Sequence, residues 1–329
     1  QYISHYPDAT NDDILNAIAD IYGMNKDQIV VGNGAAELLY AICRLPGYTG
    51  AFVPAPGFSE YKAALEASRI PVRDIYYRPR EDEHGKPYFE VPYLALETFA
   101  AELKGQDGRI IVFLANPNNP DGTLLDKNHI RTVASMLKDA NSLLVIDESF
   151  IDFAGNDTLQ DNEYSMRFLI NEFDNIIVVH SFTKFYAVPG LRIGAAFSNP
   201  LIIEQLNSFI PTWSVNTLAQ AYTEAALNDV EYVKRTKQEL REEQGFMYSS
   251  LDAIASITVY PPSANFILFH IDQERITAES INEALKKHNM IIRNCDSYMG
   301  LNNQWVRVAI KDHDTNVRLV EKLTDILKV

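Results

Sequence analysis

Residues 176–184 read IIVVHSFTK. Four β-branched residues in a row, with no polar alternation, suit a strand buried on both faces of a mainly parallel sheet. Two earlier runs have the same form, IIVFL at 110–114 and LLVI at 143–146. Residues 127–140 and 164–172 predict the helices between them. That βαβ rhythm predicts an α/β layer fold, with a large, mainly parallel sheet flanked by helices. Upstream, Ile14, Leu15, Ile18, Ile21 and Tyr22 fall at helical spacing between Asn11-Asp12 and Gly23. Residues 28–31 predict a short strand that runs into Gly32-Asn33-Gly34 and a helix. After Pro211 the pattern changes: 217–255 is mostly helical, strands are predicted at 266–271 and 306–310, and helices at 277–288 and up to Leu327. The expected division is an N-terminal segment over 1–27, a large domain over 28–225 and a smaller α/β C-terminal domain over 226–329. The N-terminal segment is expected to pack on the small domain and on a dimer partner.

The chain has 329 residues, with 29 Lys plus Arg against 44 Asp plus Glu, a formal charge of −15. Such acidity speaks against a nucleic-acid or anionic-membrane surface, which needs clustered basic residues. Two cysteines, Cys43 and Cys295, make neither a disulfide framework nor a zinc quartet. That usage fits a reducing compartment, and a cytoplasmic location is expected. The seven histidines are scattered without ligand spacing, so no metal site is expected. No apolar run reaches the roughly 18 residues of a membrane span, and no signal peptide is visible. The sequence opens at Gln1 rather than Met.

In open α/β sheets ligands bind beyond the carboxyl ends of the strands. The residues directly after each apolar run are therefore informative. Gly32-Asn33-Gly34-Ala35-Ala36 leads into a helix, where small residues and N-terminal N–H groups favour an anion. A tight turn explains the same glycines. Asn116-Pro117-Asn118-Asn119-Pro120-Asp121-Gly122 comes after the second run and Asp147-Glu148 after the third. His180-Ser181-Phe182-Thr183-Lys184 comes after the fourth, with Arg192 shortly beyond. Four strand ends thus bring an anion cradle, an amide, a carboxylate and an amine to one edge.

The ordered set GNGAAE, PGFSEY, NPNNPDG, IDES, SFTK and GLRIG resembles the fold-type I pyridoxal-phosphate enzymes of the class I/II aminotransferase family. The resemblance runs over nearly the whole chain and implies a pyridoxal-phosphate-dependent transferase-like fold. It implies Lys184 as the residue bonded to the cofactor aldehyde and Asp147 as the partner of the ring nitrogen. Asn119 would donate to the phenolic oxygen, and Phe58 would stack on the ring. Ala35, Ala36, Ser181, Thr183 and Arg192 would hold the cofactor phosphate. Tyr6, in HYPD, would reach the cofactor of a neighbouring subunit, which implies a homodimer with shared sites.

Many members read DEAY where this chain has Asp147-Glu148-Ser149-Phe150, so a hydroxyl normally near the phenolic oxygen is absent. Within the family, ESFIDF, SFTKFYAVPGLRIG, WSVN at 213–216 and IRNC at 292–295 resemble the threonine-phosphate decarboxylases most and the histidinol-phosphate aminotransferases next. That likeness implies an anionic amino-acid phosphate as substrate, bound by Arg293, Arg307 and Asn33. Lys311 stands where a relative often has Arg. Retention of Lys184, Asp147 and Arg192 argues against a catalytically silent binding module.

Overall fold

The computed structural model describes residues 4–103 and 108–328. Residues 1–3 of the N-terminal segment and the final Val329 lie outside the described residues. The strands in chain order are β1 (Ile29–Gly32), β2 (Tyr48–Ala55), β3 (Val72–Tyr76), β4 (Arg78–Glu81), β5 (Pro87–Glu90), β6 (Arg109–Ala115) and β7 (Leu143–Asp147). They continue as β8 (Ile176–Ser181), β9 (Gly194–Phe197), β10 (Ile257–Val259), β11 (Phe266–Ile271), β12 (Arg293–Asn294) and β13 (Trp305–Ala309).

A seven-stranded sheet runs in the order β1-β9-β8-β7-β6-β2-β3. Its strands are parallel except β9, which is antiparallel to both of its neighbours. The apolar runs form its centre because both faces are covered. Val112, Leu114, Leu144, Ile146, Ile176 and Val178 enter one core. The alternate residues Ile111, Phe113, Leu143, Val145, Ile177 and Val179 enter the other. Residues of neighbouring strands that share a face are buried together, so a polar side chain within these strands would cost several kcal/mol unless paired.

A separate antiparallel sheet, β10-β11-β13-β12, is built from the C-terminal third. The helical stretch after Pro211 breaks into Thr217–Leu227 and Val230–Asp252, where the Asp229 side chain accepts from the Tyr232 N–H and starts the second helix. Near the N-terminus, Asp12–Tyr22 is a helix closed by Gly23 in the left-handed region at φ 65°. It packs on β1 and on Thr217–Leu227, and Gln220 donates to Asn11 Oδ1 and the Asp8 carbonyl.

One expected helix is corrected. Residues 164–172 hold only a 3-10 helix, Arg167–Asn171. Tertiary contacts claim the first part of the segment. Glu148 accepts from the Ser165 hydroxyl at 2.6 Å and from the Met166 N–H at 2.5 Å. The buried Arg167 guanidinium donates to the carbonyls of Tyr22, Leu159 and Gln160. Long-range hydrogen bonds of that kind outweigh a modest helical preference. Among the described residues, no helix is long and apolar enough to cross a membrane.

Candidate active site

The register aligns the chemistry. Gly32 and Ser181 both pair with Gly194, while Asp147 pairs with Ala115 on one side and Val179 on the other. The carboxyl ends of β1, β8, β7 and β6 therefore share one edge. Lys184 lies one turn beyond β8, in the short helix Phe182–Phe185.

Asp147 is buried, and both of its carboxylate oxygens are held. The Ser149 N–H donates to Oδ1 at 2.9 Å and the Tyr61 hydroxyl to Oδ2 at 2.7 Å. Lys184 shares a small cavity with Asp147, Asn119, Phe58 and Phe150. Its Nζ lies 5.3 Å from the centroid of the Phe150 ring. Burial lowers the Lys184 pKa below its ordinary value; the Asp147 charge opposes the shift and Arg192 adds to it. A lysine with a lowered pKa presents neutral, nucleophilic amine at a lower pH than an exposed one.

The anion cradle lies at the β1 end. Gly34 precedes the helix Ala35–Ile42 and no side chain caps that helix. The N–H groups of Ala35 and Ala36 thus belong to the first turn, whose donors have no intrahelical acceptor. Gly34 has φ 81° and ψ 158°, a region essentially reserved for glycine. A Cβ built there would lie 2.5 Å from Arg192 Nη2, and one on Gly194 would lie 2.6 Å from the Ala35 nitrogen. The Ser181 and Thr183 hydroxyls are 2.8 Å apart. The expected phosphate ligands Ala35, Ala36, Ser181, Thr183 and Arg192 are therefore brought together. Gly34→Ala is expected to weaken pyridoxal-phosphate binding by about tenfold, from roughly 1–3 kcal/mol of backbone strain and displacement of Arg192. A cofactor titration of the apo-protein followed by fluorescence checks this.

The second face of the pocket comes from the smaller sheet. Arg293 on β12 and Arg307 on β13 are direct cross-strand partners. Both line a cavity of about 770 Å³ together with Phe150 and Phe266, and Phe150 also walls the Lys184 cavity. Arg307 Nη1 and the Tyr298 hydroxyl both donate to Asn119 Oδ1. Two donors on that oxygen fix the amide and leave Nδ2 to donate elsewhere. Arg293 donates to Ser297 Oγ at 3.0 Å and lies over the Tyr298 ring. Among the described residues, neither arginine forms an ion pair with a carboxylate. Asn33 is exposed and its N–H donates to Glu37 Oε2 at 2.6 Å. Lys311 is exposed, with its N–H donating to Asn316 Oδ1. Tyr6 is 78% exposed and stacked on Trp213 at 4.6 Å.

The donor set fits pyridoxal phosphate. A phosphate meets uncapped N–H groups, two hydroxyls and a guanidinium; a ring nitrogen meets a carboxylate; an aldehyde meets an amine. Tyr61 and Tyr298 were not singled out in the sequence. Tyr61 stands three residues after Phe58 inside PGFSEY, in the first turn of the helix Glu60–Ala67, and that short spacing is a usable signal. Nothing in the sequence marks Tyr298.

The sequence pattern of the aminotransferase class I and II family matches residues 1–323. The chain belongs to that family. Among class I and II relatives, a threonine-phosphate decarboxylase from Salmonella typhimurium is 31% identical over 99% of this chain and 84% of its own. A histidinol-phosphate aminotransferase from Methanothermobacter thermautotrophicus is 29% identical over 99% of this chain and 82% of its own. An adenosylcobalamin biosynthesis bifunctional protein from Leptospira interrogans is 30% identical over 98% of this chain, which spans only 35% of that longer protein. The crystal structure of histidinol-phosphate aminotransferase from Clostridium acetobutylicum superimposes with a TM-score of 0.86 at 26% identity, covering 98% of this chain and 91% of that one. That from Sinorhizobium meliloti, solved with pyridoxal 5'-phosphate, superimposes with a TM-score of 0.80 at 22% identity, covering 99% of this chain and 83% of that one.

Proposed function

We propose that this chain is a pyridoxal-phosphate-dependent decarboxylase of L-threonine O-3-phosphate, making (R)-1-amino-2-propanol phosphate for cobalamin synthesis. The observation that carries the reading is the cross-strand pair Arg293 and Arg307, without a carboxylate partner among the described residues and opening beside Phe150 and Lys184. Two guanidiniums side by side suit a substrate that bears both a carboxylate and a phosphate.

Bound pyridoxal phosphate supplies an electron sink for the pair left on Cα when one of its bonds breaks. The residues of the chain do the rest. Lys184 would hold the cofactor covalently, and its amine, once free, would stand ready to deliver a proton to Cα. Asp147 would hold a proton at the ring nitrogen, and Asn119, its Oδ1 already occupied, would donate to the phenolic oxygen through Nδ2. Arg293 and Arg307 would hold the substrate's anionic groups and so select the bond to the carboxylate as the one that breaks. The carboxylate leaves as carbon dioxide, one proton from solvent takes its place on Cα, and the phosphate is untouched. Phe150 adds an apolar wall beside Lys184, which favours loss of a charged carboxylate into a drier site.

The aminotransferase reading is kept beside it, because the relatives named histidinol-phosphate aminotransferase match as fully as the decarboxylases. Histidinol phosphate carries a phosphate but no carboxylate, so it engages the arginine pair less completely. The same proposal includes a cytoplasmic homodimer in which Tyr6 serves the neighbouring cofactor. The exposed Tyr6, Trp213, Leu218 and Tyr222 support an interface on that face. It also includes the division into a large unit over 28–225 and a small one over 226–329. Turnover of O-phospho-L-threonine without an added keto acid, against turnover of histidinol phosphate with 2-oxoglutarate, tests the reading. Preference for the second pair overturns it.

A further inference from the structure

Tyr61 belongs to the helix Glu60–Ala67, a different element from the strand and short helix that carry Lys184. Its hydroxyl donates to Asp147 Oδ2 at 2.7 Å, and the two residues are 1% and 6% exposed. The ring has little freedom. It stacks on Phe113 with centroids 5.3 Å apart at 16°, and it meets Phe58 edge-on at 5.6 Å. Tyr61 therefore touches both the residue expected on the face of the cofactor ring and the residue expected at its nitrogen.

Two donors converge on one buried carboxylate, the Tyr61 hydroxyl and the Ser149 N–H. Hydrogen bonds to the charged form of a carboxylate lower its proton affinity. Where a carboxylate and an aromatic nitrogen share one proton, lowering the affinity of the first places the proton on the second. Burial and the Asp147 charge hold the Tyr61 phenol well above its ordinary range, so it remains a donor at any working pH.

We infer that Tyr61 is a positioning residue that acts through Asp147: its hydroxyl holds the carboxylate in place and keeps the shared proton on the ring nitrogen of the bound cofactor. The inference rests on the pyridoxal-phosphate reading of the site. Its consequence is a division of labour. Asp147, at the end of β7, would meet the ring, while a residue from the helix Glu60–Ala67 holds its carboxylate.

The test is Tyr61→Phe, reconstituted with pyridoxal phosphate carrying 15N at the ring nitrogen. The phenylalanine keeps the stacking on Phe113 and removes only the hydroxyl. The expected result is a nitrogen resonance moved toward the unprotonated value and a cofactor dissociation constant raised about tenfold, the effect of one hydrogen bond to a charged group. A site-specific 3-fluorotyrosine at position 61 is a more acidic donor of nearly the same size, and it should move the resonance the other way. A resonance unchanged in both proteins, with wild-type cofactor affinity, overturns the inference and reduces Tyr61 to packing. A wild-type protein that does not take up the cofactor removes the pyridoxal-phosphate reading and the inference with it. The two failures are told apart by the wild type alone.

Discussion

Lys184→Ala is expected to bind pyridoxal phosphate without retaining it. After borohydride reduction and denaturation, mass spectrometry of the wild type should find the cofactor's mass on the peptide containing Lys184, and the variant should carry none. The cradle at Gly34, Ala35, Ala36 and Arg192 and the carboxylate of Asp147 do not depend on the lysine, so reversible binding should survive. Turnover should fall by about 10³-fold, because the proposed function gives the same amine the task of carrying the proton to Cα. The pH dependence has a definite sign. Burial lowers the Lys184 pKa from the ordinary lysine value of 10.5. Covalent attachment of the cofactor to the apo-protein should therefore reach half its limiting rate below pH 10.5, as neutral amine becomes available. Attachment that accelerates only above that value would mean an exposed, unperturbed lysine.

Arg307→Ala is expected to separate substrate binding from cofactor binding. Arg307 offers its guanidinium to the cavity and also donates to Asn119 Oδ1. The Tyr298 hydroxyl donates to the same oxygen at 3.1 Å, so the amide keeps one of its two anchors in the variant. Cofactor affinity should change by no more than a few-fold. The value of kcat/KM for the phosphorylated substrate should drop by about 10²-fold, the scale of roughly 2–3 kcal/mol for removing one partner of a buried charge pair. Arg307→Lys keeps the charge but loses the planar fork, and it should recover only part of the loss. Steady-state kinetics beside a cofactor titration checks both halves. Equal loss in the two measurements would mean that Arg307 serves the cofactor through Asn119 rather than the substrate.

The central strands were legible because each is buried on both faces and so reads as an unbroken apolar run. The observed bounds extend the expected ones by a residue or two, to Arg109–Ala115, Leu143–Asp147 and Ile176–Ser181. Strand β9 hid because its four residues are GAAF; the missing side chain of Gly194 lets the start of the helix Ala35–Ile42 approach the strand, where a Cβ would lie 2.6 Å from the Ala35 nitrogen. The exposed hairpin strand β4, RPRE, carries no apolar signal at all. The segment at 164–172 is not an α-helix because its polar groups are claimed from outside it, by Glu148 and by the Tyr22, Leu159 and Gln160 carbonyls, and helical periodicity does not register those partners.

The site divides in the same way. Residues that sit directly after an apolar run were legible from position alone, since the strand end fixes where they stand. Arg293 and Arg307 are fourteen residues apart in the sequence. They meet because β12 and β13 are antiparallel with those two residues in register. Only the resemblance to the family had singled them out together. Tyr61 and Tyr298 make their contacts across elements: the spacing from Phe58 hints at the first, while no local pattern encodes the hydrogen bond from Tyr298 to Asn119, which joins two loops far apart in the sequence.

The most direct measurement is the fate of the substrate carboxyl group. Holoenzyme free of keto acids should be given O-phospho-L-threonine labelled with 13C in the carboxylate. One labelled carbon dioxide for each aminopropanol phosphate formed, with no consumption of 2-oxoglutarate when it is later added, is the result predicted. Label retained in a phosphorylated keto acid, with glutamate appearing in step with added 2-oxoglutarate, would contradict the decarboxylase assignment.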